Sequence, residues 1–226
     1  MCDLRARSGG ALPNGRRRFA LAAGLLPLWA LHPDAAADPR EDFFKGIELD
    51  RPGLVQSALA GGLDPNTADD QGRTGLLLAL RAGAFEVAAV LLAAPGIEVD
   101  RTSVRGETPV MLAALRGELQ WMERLVSRGA AVNRSGWTPL HYAASGPQPK
   151  SLDWLLDRGA EVDARSPNGT TALMMAAGYG AIDGVDVLLG RGADPAARNH
   201  AGLNAADFAR RAGREAVAAR LLRAVR

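Results

Sequence analysis

Cysteine, lysine and histidine are nearly missing from this chain, and each shortage removes a class of function. The one cysteine is Cys2. A product that has lost its first residues can hold no disulfide, no thiol nucleophile and no thiolate metal site. Lysine occurs only at Lys45 and Lys150, against 25 arginines. That bias reads as base composition of the coding DNA more than as function. Histidine stands at positions 32, 141 and 200. Isolated histidines without a carboxylate pattern make neither a triad nor a zinc site. The glycines show no phosphate-loop spacing, so neither an enzyme nor a cofactor is expected. Aromatics amount to 5 % of the residues while apolar residues reach 47 %. Such a chain is too apolar for disorder, and its core must be built from Ala, Leu and Val.

A long hydrophobic run is also lacking. The apolar stretch Phe19 to Leu31 is broken by Gly24 and Pro27, whereas a membrane-spanning helix needs roughly 20 apolar residues. Arg16-Arg17-Arg18 precede it, and Pro33 and Ala35-Ala36-Ala37 follow. A basic segment, a short apolar one and a small-residue cleavage site predict a signal peptide over residues 1–37, cut before Asp38. Arg16-Arg17-Arg18-Phe19 also fits a bacterial twin-arginine export signal, and a general-secretion leader remains open beside it. Either route predicts a periplasmic protein; an uncleaved leader would instead tether the chain to the inner membrane. Residues 1–37 carry five Arg against Asp3 and Asp34, so the remainder has 22 basic and 23 acidic residues, a net of −1. That balance offers no basic face for nucleic acid.

What the chain does have is rhythm. Gly136-Trp137-Thr138-Pro139-Leu140-His141-Tyr142-Ala143-Ala144 has weaker copies, Gly106-Glu107-Thr108-Pro109-Val110 with Ala113-Ala114 and Gly169-Thr170-Thr171-Ala172-Leu173 with Ala176-Ala177. The leading glycines at 72, 106, 136, 169 and 202 are 34, 30, 33 and 33 residues apart. A second series, Gly129-Ala130, Gly159-Ala160 and Gly192-Ala193, falls 21 residues after the Thr of each copy. Each Thr can cap the free amides of a helix, and Pro after it sits where its missing N–H does no harm. Paired alanines keep these first helices slim, so a large residue at Ala143 would cost about 1–3 kcal/mol by overpacking. Asp64, Asp100, Asp163 and Asp194 are read as equivalent turn residues. The 30-residue spacing places a three-residue deletion in the connection at Arg134-Ser135, whose tip should be shorter than the others. Asp38 to Asp42 reads as a polar entry, and Pro52-Gly53 as a turn between two helices. Arg210, Arg211, Arg214, Arg220, Arg223 and Arg226 read as the solvated face of a terminal unit, with a site for an acidic partner as the alternative.

A period near 33 with Thr-Pro-Leu-His resembles the ankyrin repeat. The resemblance covers about residues 43–226 and implies an all-α repeat solenoid of some six helix-turn-helix units joined by β-hairpin loops, with divergent caps. The units run approximately 43–66, 67–100, 101–133, 134–163, 164–196 and 197–226. Thr108, Pro109, Thr138, Pro139, Leu140, His141 and Thr171 match the structural motif, and His141 is expected to tie neighbouring repeats. The family chiefly binds proteins through hairpin tips and the first-helix face. Carried over by position, this implies a protein partner met by Arg105, Leu112, Leu115, Arg116, Tyr142, Met175 and Tyr179, on a monomer; Trp137, expected half exposed at a hairpin base, joins them as an aromatic anchor. Leu112, Leu115, Tyr142, Met175 and Tyr179 would form an apolar strip there, or several of them would tuck between helices as core. The expected role is a non-catalytic interaction module of the bacterial periplasm; a tethered scaffold and a secreted effector acting on a host protein are the alternatives.

Overall fold

Helices of seven to ten residues span only about 10–15 Å and are too short to persist alone in water. Every helix among the described residues is of that size, so stacking must supply its stability. The computed structural model describes residues 38–225; the leader read over residues 1–37, Cys2 within it, and Arg226 lie outside. The described residues form α1 (Pro39–Glu48), α2 (Pro52–Ala60), α3 (Gly75–Ala82), α4 (Phe85–Ala93), α5 (Pro109–Arg116), α6 (Leu119–Ser127), α7 (Pro139–Ser145), α8 (Lys150–Leu156), α9 (Ala172–Gly178), α10 (Ile182–Gly190), α11 (Ala205–Arg211) and α12 (Glu215–Ala224). Consecutive helices pair, and the first members of the pairs, α3, α5, α7, α9 and α11, pack side by side. The outer helices α2 and α4, and then α6, α8 and α10, form a second layer. This is an all-α repeat solenoid of six units. No described helix is long and apolar enough to cross a membrane.

The core follows the composition. Ala113, Ala114, Ala143, Ala144, Ala176 and Ala177 are buried where first helices meet, and Leu91, Leu125, Leu155 and Leu188 fill the layer behind them. Phe43 is fully buried and closes the first layer, with Phe44 edge-on to it at 5.3 Å. The polar entry read at Asp38–Asp42 is already helical: the Asp38 carboxylate accepts from the Arg40 N–H at 2.9 Å, and Pro39 takes the first helical position. Pro52-Gly53 likewise opens α2 in place of forming a turn. The turn lies before it at Asp50 (φ +47°), whose Oδ1 accepts from the Val87 N–H at 3.0 Å.

Where hairpins were expected, the described residues contain no extended strand pair, only an isolated bridge between Ala68 and Thr74. The connections are tight turns closed by backbone bonds from the N–H of Asp69, Ser103, Ser166 and Asn199 to the carbonyls of Arg73, Glu107, Thr170 and Leu203. The N–H groups of Gly72, Gly106, Gly169 and Gly202 return to the carbonyls of Asp69, Ser103, Ser166 and Asn199. The leading glycines at 72, 106, 136, 169 and 202 have φ between +68° and +83°, the left-handed region where a Cβ is penalised. Adjacent tips are joined by Val104 N–H to Gln71 O (3.0 Å) and His200 N–H to Asn168 O (2.9 Å). At the shortened tip, Arg134-Ser135, no such closing bond occurs among the described residues. Arg134 instead reaches the Gly106 carbonyl through Nη1 at 3.3 Å.

Candidate functional site

The threonines that head the inner helices divide into two kinds. Thr74 caps α3, its Oγ1 accepting from the Leu77 N–H at 3.4 Å. The hydroxyls of Thr108 and Thr171 are buried without a partner, so the amide-capping role does not extend to them. Pro109 occupies the first position of α5, where no N–H is missed, whereas α9 opens on Ala172 without proline or a side-chain cap. The Thr108 N–H points to Met111 Sδ at 3.4 Å.

In the fourth repeat, His141 takes over the capping. Its Nδ1 accepts from the Thr138 N–H at 3.2 Å and lies 2.8 Å from Thr138 Oγ1. Because the backbone N–H can only donate, Nδ1 is the acceptor and the proton sits on Nε2. Nε2 then donates to the Thr170 carbonyl of the next repeat at 2.9 Å. Burial holds the imidazole pKa below its usual value, against the opposing pull of the Thr170 carbonyl. His141 is therefore a neutral, fully committed tie between repeats.

Trp137 stands edge-on to that imidazole, ring centres 5.3 Å apart. With Leu115, His141, Tyr142, Ser145 and Met175 it lines a cavity of about 280 Å³. Trp137, Ser145 and Met175 also line a larger groove of about 710 Å³, which continues past Tyr179 to Leu203, Phe208 and Arg211. The two share a wall, so one trough runs along the inner-helix face from α5 to α11. Tyr179 is 68 % exposed. The tryptophans of the outer helices differ: Trp121 lies under the Arg124 guanidinium at 4.1 Å and Trp154 under Arg158 at 3.8 Å. Among the described residues no cation covers Trp137 or Tyr179.

Five of the eight candidate partner-binding residues, Leu115, Trp137, Tyr142, Met175 and Tyr179, come together in the trough. Leu112 does not. It is 3 % exposed, because α5 is packed between α3 and α7 and a leucine at this register ends beneath the surface. Arg116 is exposed but spent within the molecule, donating to the Arg81 carbonyl at 3.3 Å and lying 6.0 Å over the Phe85 ring. Arg105 sits at a tip beside Val104, which is 81 % exposed, and lines neither part of the trough. Beyond Tyr142 the surface becomes ionic: Glu107 is held by Arg81 at 2.6 Å. Burial, and then the Glu107 charge, push the Tyr142 phenol pKa up.

Phe208 is the residue that sequence reasoning missed, and Arg211 was read with the terminal arginines and not as part of the groove. Both were within reach, since Phe208 lies four residues after Asn204 as Tyr142 lies four after Thr138, and Arg211 falls on the register of Leu115 and Ser145. Asn204 and Asp207 cap α11 reciprocally, Asp207 N–H to Asn204 Oδ1 at 3.0 Å and Asn204 N–H to Asp207 Oδ2 at 3.1 Å. Arg214 leaves the solvated arginine set: its guanidinium donates to the carbonyls of Ala176, Ala177 and Gly180 at 2.8–3.0 Å, capping the end of α9. Among the described residues no three His, Cys, Asp or Glu gather where a metal could be held.

Short stacked helix pairs with an open trough along their inner-helix face define a helical-repeat scaffold built to present a surface. Models of ankyrin repeats match residues 91–166 and 155–209. The chain belongs to the ankyrin-repeat family, whose repeats serve as protein–protein interaction modules and are themselves generally non-catalytic. It is similar to ZDHHC13 of Danio rerio, named as a palmitoyltransferase, with 38 % identity over 130 residues, 54 % of this chain and 20 % of that protein. Similarity extends to ankyrin repeat and SAM domain-containing protein 6 of Rattus norvegicus (32 % over 112 residues, 48 % of this chain and 13 % of that one). Inversin of Homo sapiens is 33 % identical over 138 residues, 56 % of this chain and 12 % of inversin. The match thus spans a fifth or less of each of these relatives, all of them eukaryotic.

Proposed function

We propose that the protein is a non-catalytic binding module that holds an extended segment of a partner protein in the trough between Leu115 and Arg211. The carrying observation is the pair of uncovered aromatics, Trp137 and Tyr179, in a continuous apolar groove on a molecule that roofs its outer tryptophans with arginine. Aromatic residues in partly enclosed pockets dominate protein–protein affinity. A peptide-display selection against the full chain tests this. Selected peptides should lose about tenfold or more in affinity with Trp137→Ala or Tyr179→Ala, a cost typical of interface anchors. Arg128→Ala, at the exposed end of α6, should leave binding unchanged. Binding that responds to Arg128 and ignores the two aromatics would overturn the assignment.

Export belongs to the same proposal and rests on Arg16 to Ala37 alone. It makes the partner a component of the bacterial periplasm. N-terminal sequencing of the protein recovered from a producing bacterium should find Asp38 first. Recovery with residues 1–37 intact in the membrane fraction would replace a free periplasmic module by a tethered one.

A further inference from the structure

The chemistry of the trough narrows the partner segment, given the protein-binding reading above. Asn168 Oδ1 accepts from Ser166 Oγ at 2.6 Å and from the Thr170 N–H at 3.2 Å. Asn199 Oδ1 accepts from the N–H groups of Ala201 and Leu203, both at 3.0 Å. These backbone donors fix which end of each amide is oxygen. The two Nδ2 groups are then donors, and they have no partner among the described residues. Ser145 Oγ is already committed to the His141 carbonyl at 3.0 Å, and the Thr170 carbonyl to His141. Arg211 ends α11 at the groove wall without an ion pair or side-chain hydrogen bond among the described residues. No carboxylate lines the groove.

An apolar floor of Trp137, Met175 and Phe208 is thus edged by two neutral donors and one uncompensated cation. We infer that the trough takes an extended protein segment in which an Asp or Glu side chain lies within one or two residues of a large apolar side chain. The apolar side chain fills the floor while Arg211 and the asparagine amides receive the carboxylate and neighbouring carbonyls. A cationic segment meets Arg211 with no carboxylate to balance it, which costs affinity through like-charge repulsion. A free chain terminus is a poor fit, because terminal carboxylates are captured by converging backbone N–H groups. Here the donors are side chains on three separate elements, spaced along the groove as a passing chain requires.

The test is a synthetic library of ten-residue peptides with acetylated N-termini and amidated C-termini, so that no terminal carboxylate exists. Each member carries a fixed Phe, with Asp, Gln or Lys at the four positions around it. Binding to the full chain, to Arg211→Gln and to Trp137→Ala is measured by fluorescence anisotropy at low and high salt. Asp within two positions of Phe should be preferred over Gln by about fivefold at low salt, the range of a half-exposed ion pair, and less so at high salt. Arg211→Gln should erase the preference while retaining binding of the Gln peptides, and Trp137→Ala should weaken all peptides alike. Equal binding of Asp and Gln peptides, or preference for Lys, with the Trp137 effect intact overturns the acidic segment and leaves the groove standing. Binding indifferent to Trp137, or no binding by any peptide, overturns both.

Discussion

His141 shows what one side chain does when three hydrogen-bonding groups converge on it. Its ring closes the start of α7 through Nδ1 and joins the fourth repeat to the fifth through Nε2, a set of bonds that only the neutral ring can complete. A proton on Nδ1 would face the Thr138 N–H. The folded chain therefore resists protonation that the unfolded chain accepts at the ordinary histidine pKa, 6.5. With more protons bound to the unfolded state, stability falls as pH falls below that value, until the folded ring also titrates. The urea midpoint should drop between pH 7.5 and pH 5.5. His141→Asn should flatten that decline and lower stability by about 1–3 kcal/mol at pH 7.5, the cost of leaving buried groups unpaired. A decline unchanged in His141→Asn would show that other groups drive it.

Between elements, packing leaves less room than the sequence reveals. A Cβ at Gly180 would strike the Ala144 carbonyl oxygen of the preceding repeat, and backbone cannot swing aside as a side chain can. Gly106 is different, with nothing within 4 Å of an added Cβ and only its positive φ to oppose one. Gly180→Ala should cost about 2–4 kcal/mol through strain between α7 and α9. Gly106→Ala should cost about 1–2 kcal/mol through backbone conformation alone. Chemical denaturation of both variants checks the order. The 33-residue rhythm and Thr-Pro-Leu-His made the helix pairs legible, because tight packing at a repeat interface demands the same small residues each time.

Register within the connections was harder to read. Asp64, Asp100, Asp163 and Asp194 looked equivalent, yet they form two classes. Asp64 and Asp194 close local turns on Asn66 and Ala196. Asp100 and Asp163 accept from Ala131 and Asp194 in the following repeat, as Asn66 and Asn133 do from Glu98 and Glu161. Asp64 and Asp194 stand two residues, and Asp100 and Asp163 four residues, after the positive-φ glycine that follows the outer helix, so counting from that glycine separates them. Burial at the site followed a different rule: Leu112 and Tyr142 share a register, but only the longer side chain reaches the groove, which spacing alone does not encode.

Across the whole molecule, stability is local because each repeat touches only its neighbours, and a solenoid of this kind can open in parts. The groove gathers Trp137 from the fourth repeat, Met175 and Tyr179 from the fifth, and Phe208 and Arg211 from the sixth. A segment lying in it requires all three to be folded at once. At a hundredfold excess over its dissociation constant it should add about 2.7 kcal/mol to whatever opening destroys the groove. Amides in α7, α9 and α11 should therefore slow in hydrogen exchange by up to about a hundredfold when peptide is bound. Amides in α1 and α2, which can fray without disturbing the groove, should exchange at their free rate. Uniform protection along the array would mean that the six repeats unfold as one unit. Protection confined to α1–α4 would place the bound segment on the other end of the molecule, against the assignment of the groove.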